Sequence, residues 1–397
     1  MPFALYALTA GAFGIGVTEF VIMGLLLEVS ADLGVTIAAA GLLISGYALG
    51  VVVGAPTIAG LVARFPRHRV MLGLAIALTL GNGLAVVLPT FETVGLARFI
   101  AGLPHGAYFG IGALVAADVL GPGKRAKGVA FILTGLTIAN VVGVPAGTFL
   151  GQHVGWRSAF LVVTIVFALA TVCIAFFVPQ HEGDPGRTFR AELRVFGRPQ
   201  VWFAVATGAI GFGGFFAVYS YIAPLVTERA GAPEWMVPVT LVVFGIGMTI
   251  GNLLGGYFGD RNLRGTLLVG LGLMAVVLVL LALLSFSIWL LVVLSFVIAL
   301  ISSILSPAIQ TRLMEVAGDN QSIAAALNHS ALNIGNSLGA YLGGLVIAAG
   351  WGFIAPTWVG VLLALSGLGV AAIGYAVEAR TRTPQPVLRA YEPVPFD

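Results

Sequence analysis

Charged residues are scarce in this chain of 397 residues. Asp, Glu, Lys and Arg together make up 9%, whereas hydrophobic residues make up 59%. A typical soluble domain carries about 25% charged residues, and a soluble core could not enclose this much apolar surface. The composition therefore predicts an integral membrane protein.

Several chemical motifs are also missing. The single cysteine, Cys173, has no partner for an internal disulfide. None of the 54 glycines precedes a Lys-Ser or Lys-Thr pair, so no phosphate-binding loop is predicted. No Cys/His cluster with metal-ligand spacing occurs. We expect no metal, no cofactor and no enzymatic activity, because the buried ionisable residues are too few to supply a nucleophile and a base.

Apolar runs of about 20 residues recur along the chain, the length that a helix needs to cross a bilayer. They predict an all-α protein with twelve transmembrane helices in two sets of six. The predicted spans are 3–27, 37–63, 70–89, 94–117, 127–150, 158–178, 201–224, 236–259, 265–284, 286–307, 322–347 and 355–377.

The basic residues support this count. With twelve spans, most of the 19 Lys and Arg residues fall in loops on the side of the two termini, whereas Arg157 and Arg229 fall on the other side. The positive-inside rule then places both termini in the cytoplasm of a bacterial inner membrane. Basic residues scattered over short loops give no reason to expect a nucleic-acid partner.

One long polar interruption divides the chain. It predicts an N-terminal half over 1–178, a cytoplasmic linker over 179–200 and a C-terminal half over 201–377. Within the linker, the basic stretch 187–198 predicts a short amphipathic helix on the membrane surface. The Pro-rich tail 378–397 is predicted to be disordered.

A stripe of glycines marks the fifth predicted helix. Gly135, Gly143, Gly147 and Gly151 recur at steps of four or eight, which keeps them near one side of a helix. Small residues let another helix backbone approach closely in a membrane. Pro145 lies in the same stretch and predicts a kink.

The same pattern returns about half a chain later, which predicts two related halves. Asn140, Gly143, Gly147 and Trp156 are matched by Asn336, Gly339, Gly343 and Trp351.

These segments resemble a known family. Gly143-Val144-Pro145 and Gly155-Trp156-Arg157 are similar to the antiporter motif of the major facilitator superfamily, in its drug/proton antiporter branch with twelve helices. The likeness extends to Thr18-Glu19-Phe20 and to the stretches 98–106 and 221–224, and it is closest to bacterial permeases described as arabinose-type or chloramphenicol efflux proteins. It implies the major facilitator fold with two pseudo-symmetric six-helix halves.

Glu19 is the first candidate for proton coupling. A carboxylate in a membrane span is costly to bury, so it indicates either function or a fixed ion pair between helices. Arg98 lies at a similar depth in helix 4 and is the expected partner, unless it reaches the headgroups instead. The resemblance implies a role in proton transfer for both. His105 could relay protons or contact substrate, although a lone His in an apolar helix is often a packed residue.

The loop after helix 2 stands where the family has a gating motif, but its sequence departs from that motif. Arg64 stands at the position of the motif's Arg, but its acid is absent, so Asp118 at the inner end of helix 4 is the candidate acid. The second copy keeps Asp260 and Arg261, which could latch the cytoplasmic side. The ordinary alternative is a positive-inside loop. Gly143, Pro145 and Gly147 complete the gating candidates.

Substrate ligands are expected on several helices. In helix 11, His329, Asn333 and Asn336 form one polar stripe next to Asn328, and either bind substrate or hold helices together. Asn140 matches Asn336 in the repeat. Aromatic and sulfur side chains suited to an apolar pocket are Met23, Tyr47, Phe216 and Tyr219, although such side chains more often pack in the core.

The sequence thus predicts a monomeric secondary transporter that exchanges protons for small, largely apolar drugs of the chloramphenicol type, or for several drugs, among membrane lipids. A sugar or metabolite exporter of the same fold is the alternative. A receptor or a membrane enzyme fits poorly, since neither a signalling domain nor a catalytic set is evident.

Overall fold

The computed structural model describes residues 2–62, 64–121, 125–180, 193–318 and 321–381. Backbone N–H and C=O groups find no water in the hydrocarbon layer, so helices are the form in which these apolar runs can cross it. Over the described residues the chain forms twelve transmembrane helices. They are α1 (Pro2–Gly24), α2 (Ile37–Val62), α3 (Arg67–Val87), α4 (Phe91–Leu120), α5 (125–154), α6 (Trp156–Phe177), α7 (Pro199–Tyr219), α8 (236–261), α9 (263–284), α10 (Ile288–Ala317), α11 (Gln321–Ala348) and α12 (Ala355–Thr381).

Some predicted bounds were wrong. The first span does not continue to residue 27, because α1 ends at Gly24 and a separate short helix follows at Leu26–Leu33. No loop separates α8 from α9: helical structure runs over Met236–Leu284 with Asn262 alone outside helical geometry, at φ −156° and ψ 80°. One extended residue therefore reverses the chain between two spans.

α4 is interrupted near the middle of the bundle, and α7 is followed by irregular helical turns toward the distal end. α4 consists of the segments Phe91–Gly102 and His105–Leu120, and Pro104 precedes the second segment, where a missing N–H costs no helical bond. α7 is followed by a short turn, the segment Ile222–Pro224 and a wide turn at Leu225–Arg229. The interruption in α4 places His105 at a helix start.

Pro145 does not end α5. A wide π-helical turn at Ala139–Gly143 directly precedes the segment Val144–Val154, which holds Pro145 in its first turn. Such a turn accommodates the backbone carbonyl that proline leaves without a hydrogen bond. The irregularity predicted at Pro145 is thus found one turn earlier.

The glycine stripe packs α5 against α1. A Cβ atom at Gly135 would lie 2.9 Å from the backbone nitrogen of Phe13, and one at Gly143 would lie 2.5 Å from a methyl group of Val17. A Cβ atom at Gly147 would lie 2.9 Å from a methyl group of Val21. The stripe therefore permits the close helix contact that its spacing predicts.

The second copy of the pattern packs α11 against α7 in the same way. A Cβ atom at Gly335 would lie 2.9 Å from the carbonyl oxygen of Ala209, and one at Gly339 would lie 2.6 Å from the nitrogen of Ala217. The pair α5–α1 in one half thus corresponds to the pair α11–α7 in the other.

The halves meet along a surface that we call the seam, formed by α2 against α11 and by α5 against α8. On the first side, Ser45 Oγ donates to the Ser337 carbonyl at 3.2 Å and Ser330 Oγ to the Val52 carbonyl at 3.3 Å. We call the end of the bundle away from Pro2 and Thr381 the distal end.

On the other side of the seam, Gln152 Nε2 donates to the Glu234 carbonyl at 3.3 Å near the distal end. Deeper in the bundle, Gly245 lies against the backbone of Asn140. The two sides together hold the halves in contact from the distal end to the middle.

The predicted linker and tail lie mostly outside the described residues, and the domain boundaries stay predictions. Residues 181–192 and 382–397 are not described. Of the predicted amphipathic helix, the described part is a short 3-10 turn at Leu193–Gly197. The predicted tail begins too early, because α12 continues to Thr381 and Glu378 pairs with Arg312 on α10 at 2.7 Å.

Candidate functional site

Glu19 lies at the seam, near the middle of the bundle. Its side chain is buried, with 5% of the residue surface exposed. One carboxyl oxygen, Oε1, accepts a hydrogen bond from Asn336 Nδ2 at 3.5 Å, and the other, Oε2, lies 4.0 Å from His105 Nδ1. Since Asn336 belongs to α11, this carboxyl group joins the two halves.

His105 connects Glu19 to a cluster of rings. Its Nδ1 atom lies 3.0 Å from the hydroxyl of Tyr47 on α2, and its ring meets that of His329 edge-on, at 5.5 Å between centroids. His329 stacks on Phe109 at 5.3 Å. The two histidines come from different halves, so the sequence-predicted residues of α4 and α11 are neighbours in space.

Arg98 is not the partner of Glu19, contrary to the expectation from depth. Within the described residues no carboxylate lies within 4.0 Å of its guanidinium. Instead, one of its terminal nitrogens donates to Thr18 Oγ1 at 2.9 Å, and its Cζ atom lies 4.3 Å from the ring centroid of Tyr47 and 5.3 Å from that of Phe160. With 1% of its surface exposed, Arg98 does not reach the headgroups either.

The similar depth of Glu19 and Arg98 in the membrane predicted the wrong partner, because depth does not fix the direction in which a side chain points around its helix axis. Aromatic faces replace a carboxylate as the environment of this guanidinium. Its Nε atom and second terminal nitrogen have no hydrogen-bond partner in the part of the chain that the structure describes.

Asn82 on α3 is a site residue that the sequence analysis missed. Thr18 donates its hydroxyl proton to Asn82 Oδ1 at 2.5 Å while it accepts from Arg98, and Asn82 Nδ2 donates to the Leu78 carbonyl. Asn82 is 1% exposed. It is the one amide side chain of α3. An amide in an otherwise apolar membrane span indicates a polar contact inside the bundle, on α3 as on α11, and this signal marks Asn82 in the sequence.

The aromatic candidates lie beside Glu19, at the contact of three helices. Phe216 and Tyr219 of α7 face Phe20 of α1, at 6.4 and 5.6 Å between ring centroids. Tyr219 also lies 4.8 Å from the ring of Phe244 on α8. Met23 is fully buried and adds apolar surface one turn further along α1. The seam therefore combines one carboxyl group with adjacent aromatic faces.

The amides at the seam have unused acceptor atoms. Asn328, Asn333 and Asn336 of α11 and Asn140 of α5 are all buried, and the Oδ1 atom of each has no hydrogen-bond partner among the residues that the structure describes. The Nδ2 atom of Asn333 donates to the His329 carbonyl in its own helix at 3.1 Å. A buried acceptor without a donor is costly, so these oxygens favour a ligand or a water that donates to them.

The charged gating candidates occupy the end of the bundle that holds the termini, whereas Gly143, Pro145 and Gly147 lie further along α5 against α1. Asp118 pairs with Arg67 at 2.5 Å, both about one third exposed, so the acid meets the second Arg of the loop rather than Arg64. Arg64 lies over the neighbouring ring of Phe65 instead.

The second copy of the motif is not engaged. Asp260 is exposed and forms no ion pair with the residues that the structure describes. Arg261 lies 4.2 Å from the ring centroid of Tyr257. Among the described residues the predicted latch at this copy is therefore not formed, whereas the first copy has the ion pair between Arg67 and Asp118.

A further polar contact links two helices within the N-terminal half at the distal end. Trp156 Nε1 donates to Asp32 Oδ2 at 2.9 Å, and Arg157 pairs with the same oxygen. The Trp156 hydrogen bond and the positive charge of Arg157 lower the pKa of the Asp32 carboxyl below its ordinary value. This contact fastens the short helix Leu26–Leu33 to the start of α6.

Comparison with known proteins identifies the family. The model of the Major Facilitator Superfamily matches residues 8–261 and 234–396. The chain is 38% identical to the inner membrane transport protein YdhP of Escherichia coli (strain K12), over 91% of this chain and 93% of that protein. It is 30% identical to a chloramphenicol resistance protein of Streptomyces lividans, over 94% and 96% of the two chains.

A solved structure supports the same fold. The crystal structure of a bacterial homologue of the human lysosomal transporter Spinster, inward-facing and unoccupied, matches with a TM-score of 0.76 at 18% identity, over 97% of this chain and 99% of that one. The chain belongs to the Major Facilitator Superfamily, a family of membrane transporters, and is a multi-pass membrane protein. The resemblance, the helical fold and the transporter class predicted from sequence are confirmed.

Proposed function

We propose that the protein exports small, largely apolar drugs, of the chloramphenicol type or several kinds, in exchange for protons. The observation that carries this proposal is Glu19, a buried carboxyl group hydrogen-bonded across the seam and 4.0 Å from His105, with aromatic rings packed around the adjacent Phe20. The chloramphenicol resistance relative, which aligns over nearly the whole chain, supports the choice of substrate.

The arrangement suits alternating access. A site at the contact of two related halves is reached from either face when the halves rock against each other. The halves are joined here by Gln152 at the distal end and by the serines of α2 and α11 nearer the middle of the bundle. Rocking would break these bonds and close the other end, where Arg67 and Asp118 lie.

Proton coupling follows from the position of Glu19. In the proposed cycle Glu19 takes up a proton from the outside, the protein turns inward, and arrival of substrate favours release of that proton to the cytoplasm. His105, 4.0 Å away, is the group placed to pass the proton on. Coupling requires only that proton binding differ between the two states. We propose a monomer in the bacterial inner membrane, with both termini cytoplasmic.

Proton release on drug binding tests the proposal. Purified wild type in weakly buffered detergent should acidify the solution when chloramphenicol is added, and Glu19→Gln should not. Glu92→Gln, which removes an exposed acid at the start of α4, is the matched control and should release protons like the wild type. Drug binding by the Gln variant, followed by calorimetry, shows whether its pocket is intact.

The outcome that contradicts proton exchange is chloramphenicol binding without proton release in the wild type. Proton release that persists in Glu19→Gln contradicts the role of Glu19 alone.

Export of a sugar or another polar metabolite is the second candidate, and the unused acceptor oxygens of the α11 amides favour it. A sugar hydroxyl could donate to the Oδ1 atoms of Asn328, Asn333 and Asn336. Replacing Asn333 by Leu separates the two candidates. Sugar binding should then fall by tenfold or more, about the effect of leaving a buried hydroxyl unpaired, whereas binding of an apolar drug should change little.

A further inference from the structure

We propose that Asn336 is the residue through which the C-terminal half senses whether Glu19 carries a proton. This inference rests on the proposed function, because it takes Glu19 as the proton-carrying group. It gives Asn336 a positioning role for the carboxyl group, distinct from contact with substrate.

The hydrogen bonds across the seam distinguish Asn336 from its neighbours. In the described parts of the two halves, four side-chain hydrogen bonds cross the seam. Those of Ser45, Ser330 and Gln152 go to backbone carbonyls, which do not titrate. The bond from Asn336 goes to the carboxyl group of Glu19, so its strength alone depends directly on a proton.

The free oxygen of Asn336 makes the bond sensitive to that proton. In the structure Asn336 Nδ2 donates to Glu19 Oε1, and Oδ1 has no partner among the described residues. An ionised carboxylate accepts only, so it leaves Oδ1 without a donor. A protonated carboxyl group has one O–H to donate. After a small rotation of the two side chains it can donate to Oδ1 while its other oxygen accepts from Nδ2. The protonated form thus makes two bonds across the seam and the ionised form makes one.

The surroundings increase the difference between the two forms. Asn336 is fully buried, with 0% of its surface exposed, so its Oδ1 atom does not face bulk solvent in the closed state. An unpaired buried acceptor and a buried carboxylate are both costly, and both are relieved when the halves separate. Protonation of Glu19 should therefore favour a closed seam, and ionisation should favour an open one.

Other ionisable groups near Glu19 are less able to do this. His105 and Arg98 belong to the same half as Glu19, and His105 already contacts the Tyr47 hydroxyl. Tyr219 and His329 come from the other half, but their described contacts are with rings, and neither forms an ion pair or a hydrogen bond with Glu19. Asn336 remains the polar contact of the carboxyl group across the seam.

Distances between spin labels at the distal end test the inference. Labels at Glu92→Cys and Phe286→Cys, with Cys173→Ser, lie on exposed or loop-side positions of opposite halves. In the wild type the long-distance population should grow as the pH rises. Glu19→Gln should stay closed at every pH, because a Gln amide donates and accepts like the protonated acid.

Two variants with a change at position 336 decide whether Asn336 responds to the proton on Glu19. Asn336→Leu removes both bonds, and should lower the midpoint of the pH dependence by about one unit, a tenfold change in proton binding. The double variant Glu19→Gln with Asn336→Asp exchanges the acid and the amide between the halves without a change in size. It should regain the pH dependence that Glu19→Gln alone has lost. Asn252→Leu, which replaces an exposed amide on α8 away from the seam contacts of Glu19, is the control and should keep the wild-type midpoint.

The inference is overturned if Asn336→Leu keeps the wild-type midpoint, or if the exchanged pair stays independent of pH. Glu19 would then still be the proton carrier, as long as Glu19→Gln is locked closed. If Glu19→Gln responds to pH like the wild type, the proposed proton coupling at Glu19 fails first. The double variant keeps the test decisive should Asn336→Leu fold poorly, since both of its changes preserve size.

Discussion

The guanidinium group of Arg98 lies over the ring of Tyr47, with its Cζ atom 4.3 Å from the ring centroid. Tyr47 in turn bonds His105 through its hydroxyl group, at 3.0 Å. One aromatic side chain thus has two functions, as a face for a buried cation and as a hydrogen-bond partner of a candidate proton relay.

The two functions of Tyr47 can be separated by mutation. Tyr47→Phe keeps the ring and should lower the free energy of unfolding by about 1 kcal/mol, the value of one hydrogen bond. Tyr47→Leu removes the ring from a buried guanidinium and should cost about 2 to 4 kcal/mol. Thermal unfolding in detergent measures both. Equal losses for Phe and Leu would show that the contact between Arg98 and the ring contributes nothing.

The ion pair between Arg67 and Asp118 should control the end of the bundle that holds the termini. Asp118→Asn breaks the pair and should slow export, because in the proposed cycle this end has to close before substrate leaves at the distal end, while stability changes by no more than about 1 kcal/mol, as for a partly exposed pair. Drug efflux from loaded vesicles measures the export rate, and thermal unfolding measures the stability.

A charge exchange and a neighbouring Arg provide the controls for this prediction. Arg67→Asp combined with Asp118→Arg should restore the wild-type rate. Arg64→Ala should leave the rate unchanged, because Arg64 lies over Phe65 and pairs with no carboxylate among the described residues. An Arg64→Ala variant that changes the export rate as Asp118→Asn does would contradict the assignment of Arg67 as the partner of Asp118.

Close packing of α5 on α1 should make Gly135 intolerant of a methyl group. A Cβ atom there would meet backbone atoms of Thr9 and Phe13, which cannot move without shifting α1. Gly135→Ala should cost about 1 to 3 kcal/mol of stability. Gly73→Ala is the control: it lies in α3 with no atom within 4 Å of the new methyl group, and should raise stability by about 0.5 to 1 kcal/mol. Thermal unfolding of the two variants should therefore move in opposite directions.

Much of the fold could be predicted from the sequence because a membrane limits the choices. Apolar runs of fixed length must be helices, and the spacing of Gly135 and Gly143 indicated which side of α5 a neighbour would approach. The positions at which the helices are interrupted were less predictable. Nothing in the residues around Asn262 marks a one-residue reversal, and the wide turn ahead of Pro145 depends on where the neighbouring helices allow the chain to bulge.

The sequence predicted which residues belong to the site, but not which of them contact each other. Glu19, His105 and Asn336 were identified because polar groups are costly in lipid, and the structure brings them together. Arg98 was given the wrong partner, since depth along a helix does not fix rotation about its axis. Arg67 was likewise missed as the partner of Asp118, because alignment on Arg64 fixes a position in the motif but not the reach of each side chain.

Asp32 should make the stability of the distal end depend on pH. Trp156 and Arg157 lower its pKa in the folded protein below the ordinary value of 3.8. The stabilisation is therefore fully present above about pH 5, and is lost as the pH falls through the lowered pKa of the folded state. Asp32→Asn should reduce stability at pH 7 by at most about 1 kcal/mol, because the side chain is 46% exposed and its charge is screened.

The difference in unfolding temperature between wild type and Asp32→Asn should stay constant from pH 7 to pH 5 and shrink below it, since the wild type then takes up the proton. Trp156→Phe, which keeps a ring but removes the indole N–H, should move this loss to higher pH, because that hydrogen bond contributes most to the lowered pKa. Asp260→Asn is the control, since Asp260 is exposed and has no ion pair within the described ranges. A difference between wild type and Asp32→Asn that grows on acidification would contradict the assigned direction.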